Sequence, residues 1–194
     1  VNGNVNFSNL DDITMNIRMA AQNFQIINSK ETRRSEAFGK AYVDFVGLLR
    51  GSVNDLNMRG RMDVLGTTDM SYILRDSPLN SDYQMDELVR FTDFTDTTQT
   101  TVSHLTSMGF NMDLVVNIDR AARVVCYLNT DHSNYVDLMG DGSLRLQYTP
   151  SENFRIRGKY TLNNGKMKYS MPVIPLKTFT IRDGSYIEFT GDPM

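Results

Sequence analysis

"LNNGKMKYS", residues 162–170, is a short polar stretch whose folding decides the arrangement of the strands around it. An Asn-Gly pair favours a type I′ turn, because both central residues of that turn take positive φ. A hairpin closed by Asn164-Gly165 sets Leu162 opposite Met167, Tyr160 opposite Tyr169 and Gly158 opposite Met171. Its other face pairs Asn163 with Lys166, Thr161 with Lys168 and Lys159 with Ser170. One face is apolar or small and the other polar, so the stretch predicts an amphipathic β-hairpin whose apolar face needs cover.

Working outward, alternation with a period of two dominates the chain. On one parity lie Ile13, Met15, Ile17 and Met19, joined by Phe24 and Ile26. Beyond the charged loop "NSKETRRSEAF" follow Ala41, Val43 and Phe45, up to an expected bulge near Gly47. Next come Leu56, Met58, Met62 and Val64, then Met70, Tyr72 and Leu74. The second half repeats the pattern with Phe110, Met112, Leu114, Val116 and Ile118, then Leu144, Leu146 and Tyr148, then Phe154, Ile156, Tyr160 and Leu162. With "TPSEN" as a loop, Leu146 faces Ile156 and Gly142 faces Tyr160, so these two strands are antiparallel neighbours. In "FTIRDGSYIEFTG" a three-residue loop sets Ile181 beside Ile187 and Phe179 beside Phe189. The expected organisation is a first β block at 1–75, an insertion at 76–107 and a second β-meander at 108–194. Within the insertion, Ser81 and Gln84 form a capping box ahead of Met85, Leu88 and Val89, which predicts one short helix near 82–91. A Thr-rich loop follows it.

The bulk composition excludes several functions. Twenty Lys and Arg stand against 23 Asp and Glu, net −3, which argues against a nucleic-acid binder. No basic run is longer than Arg33-Arg34, which argues against an electrostatic membrane anchor. No apolar run reaches the ~18 residues of a membrane helix. The chain begins at Val rather than Met, which reads as a piece of a longer protein. Cys126 is the one cysteine and lies on an apolar parity with Val124 and Leu128, as a buried inert thiol does. His104 and His132 have no Cys or Glu at ligand spacing, and "DHSNYVDLMGDGS" lacks the acidic fifth and twelfth positions of a calcium loop. No Gly-x-Ser-x-Gly elbow or paired strand-end carboxylates occur, so no catalytic site, metal or cofactor is expected. What remains is an amphipathic sheet with 12 Met and 17 Asn. Asn suits turns and exposed strand faces, and Met suits surfaces that accept varied apolar partners. A transmembrane barrel is disfavoured, since Lys, Arg and Asn stud the polar face.

The run "GSLRLQYTPSENFRIRGKYTLNNGKMKYS" and the later "FTIRDGSYIEFTGDP" resemble the C-terminal region of TamB-type envelope proteins. The matching residues are Gly158, Tyr160, Leu162 and Gly165, then Phe179, Ile181, Gly184, Ser185, Ile187, Phe189, Gly191, Asp192 and Pro193. The Asn- and Thr-rich style resembles the AsmA-like, Bacteroides-type versions. The resemblance implies a mainly β, U-shaped "taco", a curved antiparallel sheet around an apolar groove. It implies a periplasmic location, a parent chain tethered to the inner membrane and a BamA-like outer-membrane barrel as partner. Phospholipid acyl chains or nascent outer-membrane proteins are the implied cargo. The expected groove lining comprises the residues above from Ile13 to Met19, then Leu56, Met58, Met62, Met70 and Tyr72, those from Phe110 to Ile118 and from Leu144 to Leu162, and Met167, Tyr169, Phe179, Ile181, Ile187 and Phe189. The alternative is a closed β-sandwich with a structural or adhesive role.

Overall fold

The computed structural model describes residues 1–9, 12–75, 109–151, 153–170 and 177–191. Alternating apolar and polar residues, rich in β-branched and aromatic side chains, form eleven strands there. They are β1 (Asn2–Asn6), β2 (Thr14–Ser29), β3 (Ala37–Ser52), β4 (Asp55–Val64), β5 (Asp69–Ile73) and β6 (Gly109–Ile118). Then come β7 (Arg123–Tyr127), β8 (Tyr135–Thr149), β9 (Asn153–Tyr169), β10 (Lys177–Ile181) and β11 (Ser185–Thr190). No helix occurs among the described residues, and the expected helix near 82–91 and the Thr-rich loop lie outside them.

All eleven strands belong to one sheet. Six of them, β3-β4-β6-β8-β7-β5 and back to β3, close a barrel-like circuit of hydrogen bonds. The registers show how it closes. Both β4 and β5 run antiparallel to β3, pairing with Val43–Ser52 and Ala37–Lys40 respectively, on the side away from β2. In the same way β6 and β7 follow one another along β8. The circuit is therefore four tracks side by side, and the sheet continues through β2 and β1 on one flank and β9 on the other.

The two middle tracks are parallel and in register throughout: Asp55 faces Gly109, Val64 faces Ile118, Asp69 faces Arg123 and Ile73 faces Tyr127, always 54 residues apart. The interruptions within them match too. Leu65–Thr68 is a turn closed by the Thr68 N–H on the Leu65 carbonyl at 2.9 Å, and Asp119–Ala122 repeats it at 3.0 Å. The two turns are stitched together by the Asp119 N–H on the Val64 carbonyl and the Arg123 N–H on the Thr68 carbonyl, both at 3.0 Å. Stacked identical backbones leave little room between them, and a Cβ on Gly66 would lie 2.7 Å from Asp119 Oδ1.

Two hairpins expected from the sequence do not form. The Asn164-Gly165 hairpin does not form: β9 runs straight through it, paired with β8 from Thr149–Asn153 to Tyr135–Lys168. Neither Asn164 nor Gly165 has positive φ. Leu162 faces Gly140 and Gly165 faces Leu138, so β9 carries one extra residue, a bulge. A one-residue bulge shifts the pleat as a two-residue hairpin does, so Leu162 and Met167 still share a face while Tyr160 and Tyr169 lie in different rows. A continuous β9 also keeps its backbone groups bonded on both flanks, which a folded-back hairpin would not.

At Asp183-Gly184 the chain does turn, with the Ser185 N–H on the Arg182 carbonyl at 3.1 Å and Gly184 at φ 81°, but no hairpin follows. Phe179 faces Met167 and Ile187 faces Tyr160, so β10 and β11 both pair with β9 as successive pieces of one track, with Arg182–Gly184 as the interruption. The expected pairs Ile181–Ile187 and Phe179–Phe189 are not neighbours. The expected bulge at Gly47 is also displaced, since Met19, Gly47 and Gly60 form a regular row. The irregularity sits in β2, where Asn23 adopts φ 46° and its N–H donates to Asp44 Oδ1 at 2.7 Å. The expected pairs Leu146–Ile156 and Gly142–Tyr160 are observed.

These interruptions fall within about two residues of one line across the sheet: 22–26 in β2, 65–68, 119–122, the extra residue of β9 near 163, and 182–184. Bulges bend strands and increase their twist, so aligned bulges put a transverse crease in the sheet. The core gathers at this crease, with Val43, Ala122, Leu114, Val116, Tyr160 and Leu162 buried. Thr68, 2 % exposed, ties it together: its hydroxyl accepts from the Tyr42 N–H at 3.1 Å and donates to the Tyr42 carbonyl at 3.2 Å. Thr68→Val keeps the shape and strands the buried Tyr42 N–H, while the Tyr42 carbonyl keeps the Leu65 N–H at 2.9 Å. Chemical denaturation should show a loss of about 1–3 kcal/mol, the cost of unsatisfied buried polar groups.

Candidate functional site: the apolar sheet face

Cross-strand partners share a face, so the registers assemble rows across the sheet. One row reads Ile17, Leu49, Met58, Met112, Tyr148, Phe154. The next reads Met19, Gly47, Gly60, Leu114, Leu146, Ile156. A third passes through Ala21, Phe45, Met62, Val116, Leu144, Gly158 and Phe189. At the crease, Phe24, Val43, Val64, Ile118, Gly142, Tyr160 and Ile187 line up. Beyond it, Met70, Val124, Leu138, Gly165 and Ile181 form a row, as do Tyr72, Cys126, Val136, Met167 and Phe179.

The registers place the expected lining residues within strands on this one face. Met15 and Leu56 continue it through Gly51 to Phe110, and Tyr169 pairs with Lys177 at its end. Ile13 lies just ahead of β2, where its carbonyl accepts from the Val53 N–H at 2.9 Å. Leu49, Val136 and Leu138 belong to the face and were missed. Extending the odd parity of β3 past Gly47, and the even parity of β8 back past Gly140, would have found them. Leu128, expected beside Cys126, lies outside β7.

The face is thinly covered. Only nine apolar residues are buried among the described residues. Along the crease row, Val43 is 1 % exposed while the ends reach 56 % at Phe24 and 40 % at Ile187. Two packed sheets would bury both inner faces together, whereas a single sheet covers its middle rows and exposes its margins. Phe179 at the other end of that margin is likewise exposed. The rows hold no charged group before Lys177. Burial pushes the Cys126 thiol up, and burial together with Asp141 pushes Tyr160 up.

The opposite face is mainly polar, with Ile73 and Val125 buried on it, and is ordered by hydrogen bonds. Arg145 donates to both oxygens of Asp113, from Nε at 2.7 Å and Nη2 at 2.5 Å, and Arg123 holds Asp137 the same way at 2.9 and 2.8 Å. The Arg145 guanidinium keeps the Asp113 carboxyl below its usual range. In the parallel tracks Asn117 bonds Asp63 at 2.6 Å and Asn111 bonds Asn57 at 3.3 Å, which is where part of the Asn surplus is used. At one end Tyr127 stacks on His132, 3.9 Å between ring centres, and lies edge-on to Tyr135. Among the described residues no group of three or more His, Cys, Asp or Glu could hold a metal ion.

A family model described as the TamB C-terminal domain matches residues 1–194. No curated protein matches the chain, and no solved structure does.

Proposed function

Because the chain belongs to the family of TamB C-terminal domains, we propose that it is a non-enzymatic module of a translocation and assembly system that carries apolar cargo on the face described above. The observation that supports this most is the set of apolar rows crossing the sheet from margin to margin, with no second sheet over them among the described residues. Bent at its crease, such a sheet forms a groove, and contiguous exposed apolar surface marks binding sites. Met15, Met19, Met58, Met62, Met70, Met112 and Met167 line it, and flexible thioethers adapt to cargo without fixed shape.

The cargo is the acyl chains of phospholipids or the apolar strands of nascent outer-membrane proteins. The setting is the periplasm, with the parent chain tethered to the inner membrane and a BamA-like barrel receiving the cargo at the outer one. Among the described residues, the margin of β2 beyond Arg18 and that of β10–β11 carry no partner strand and offer an edge to an extended client strand by β-augmentation.

Native mass spectrometry after lipid extraction, with a fluorescent fatty acyl probe in parallel, tests this reading. Leu144, half-buried in the third row, is the position to change. The native chain should retain phospholipid and bind the probe. Leu144→Asp should lose both while staying folded, and Ser143→Asp, next to it on the polar face, should lose neither. A lipid-free, probe-silent native chain would remove the lipid reading and leave the protein-client one.

A further inference from the structure

Along the chain the basic residues look scattered, but strand alternation conceals a patch. On the polar face β9 presents Arg155, Arg157 and Lys159, and beyond its bulge Lys166 and Lys168. No carboxylate of β9 shares that face. Arg157 stands directly opposite Arg145, in a row that leads through Val115 to Arg61. Like charges directly opposite each other in a sheet are destabilising, and Asp113 answers only the Arg145 side of this pair. Asp137, opposite Lys166, is already held by Arg123. Lys159 Nζ lies 3.8 Å from the ring centre of Tyr186, and Glu188 is its cross-strand partner. In a chain of net charge −3, this face has the opposite sign to the whole.

We infer that the polar face around β9 docks on the headgroup surface of an anionic phospholipid bilayer. Charge complementarity names the sign of the partner, and cations spread along the length of β9 suit an extended surface better than a single small anion. The exposed apolar groups among the cations select a bilayer over a soluble polyanion. Val46, 60 % exposed, sits in Arg61's row, in a depression bounded by Ala20, Leu48, Arg18 and Arg59. Tyr186, 55 % exposed, lies under Lys159. Apolar and aromatic groups beside cations match the boundary between headgroups and acyl chains. Docked this way, the sheet keeps its apolar face turned away from that membrane. The inference stands apart from the groove and does not depend on it.

Vesicle flotation of the 194-residue chain is the test, using phosphatidylcholine alone and phosphatidylcholine with about one third phosphatidylglycerol. Binding is expected to the anionic vesicles only and to fade as salt is raised. The combined Arg155→Gln, Arg157→Gln and Lys159→Gln variant should bind roughly a hundredfold more weakly, from the attraction each cation typically contributes at such a surface. Val46→Asp should weaken it in the same direction, which protects the test if the triple variant does not fold. A saturating amount of the fluorescent fatty acyl probe should leave flotation unchanged, which separates this face from the groove. Equal binding to both vesicle types, or binding unchanged by the triple variant and Val46→Asp, overturns the proposal. Capture by dextran sulfate without flotation overturns it too and assigns the patch to an anionic polymer.

Discussion

Val43→Asp is expected to unfold the protein, and Val46→Asp, three residues along the same strand, to leave its stability nearly unchanged. Val43 is 1 % exposed at the crease, between Phe24 and Val64 in its row, with the apolar face around it. A carboxylate there would be buried with no cation in its row, and a buried unpaired charge belongs to the changes that cost more than about 4 kcal/mol. A sheet with so few fully buried apolar residues has little stability in reserve. Val46 points the other way, into solvent beside arginines, where a substitution shifts stability by roughly 0.5 kcal/mol at most. Urea denaturation followed by circular dichroism reads both. Similar losses for the two variants would mean that β3 does not separate its faces as the registers require.

The second large effect is expected at Gly158. Its φ is +131°, a region that side-chain-bearing residues rarely enter, and a Cβ there would collide with the Ser143 carbonyl oxygen on β8. Gly158→Ala combines backbone strain with overpacking against a main chain that cannot move aside. About 3 kcal/mol should be lost. The residue is also the glycine that lets Leu144 and Phe189, its cross-strand partners on either side, approach across it. A melting temperature within a few degrees of the native value would show that β8 and β9 are not in close contact there.

Much of the candidate site was legible in the sequence. A strand displays alternate residues to opposite faces, so period-two patterning sorts side chains by face before any partner is known. Leu144, Leu146 and Tyr148 could be grouped with Phe154, Ile156 and Tyr160 for that reason, and the short Thr149–Asn153 connection fixed their pairing. Phe179, Ile181, Ile187 and Phe189 likewise fell on one face although their pairing was misread, since a three-residue hairpin and the observed interruption preserve the same parity.

Partners and topology were not legible, and the physical reason is that parity alone is degenerate. A two-residue hairpin at Asn164-Gly165 and a one-residue bulge both carry Leu162 and Met167 to the same side. Local sequence cannot choose between them. What chose was long-range pairing, with β8 bonded along one flank of β9 and β10 and β11 along the other. The parallel stacking of β4–β5 on β6–β7, with matched turns 54 residues apart, joins segments that no local signal connects. The basic patch is of the same kind. Linear runs reach only two residues, but the pleat brings Arg155, Arg157 and Lys159 to one face and the register sets Arg145 beside them. The sequence by itself determined that the protein is a β-sheet with one apolar and one polar face, because that follows from alternation. Which strands are neighbours, where the sheet bends and where its charge gathers were decided only in the tertiary structure, because those depend on hydrogen bonds between residues far apart in the chain.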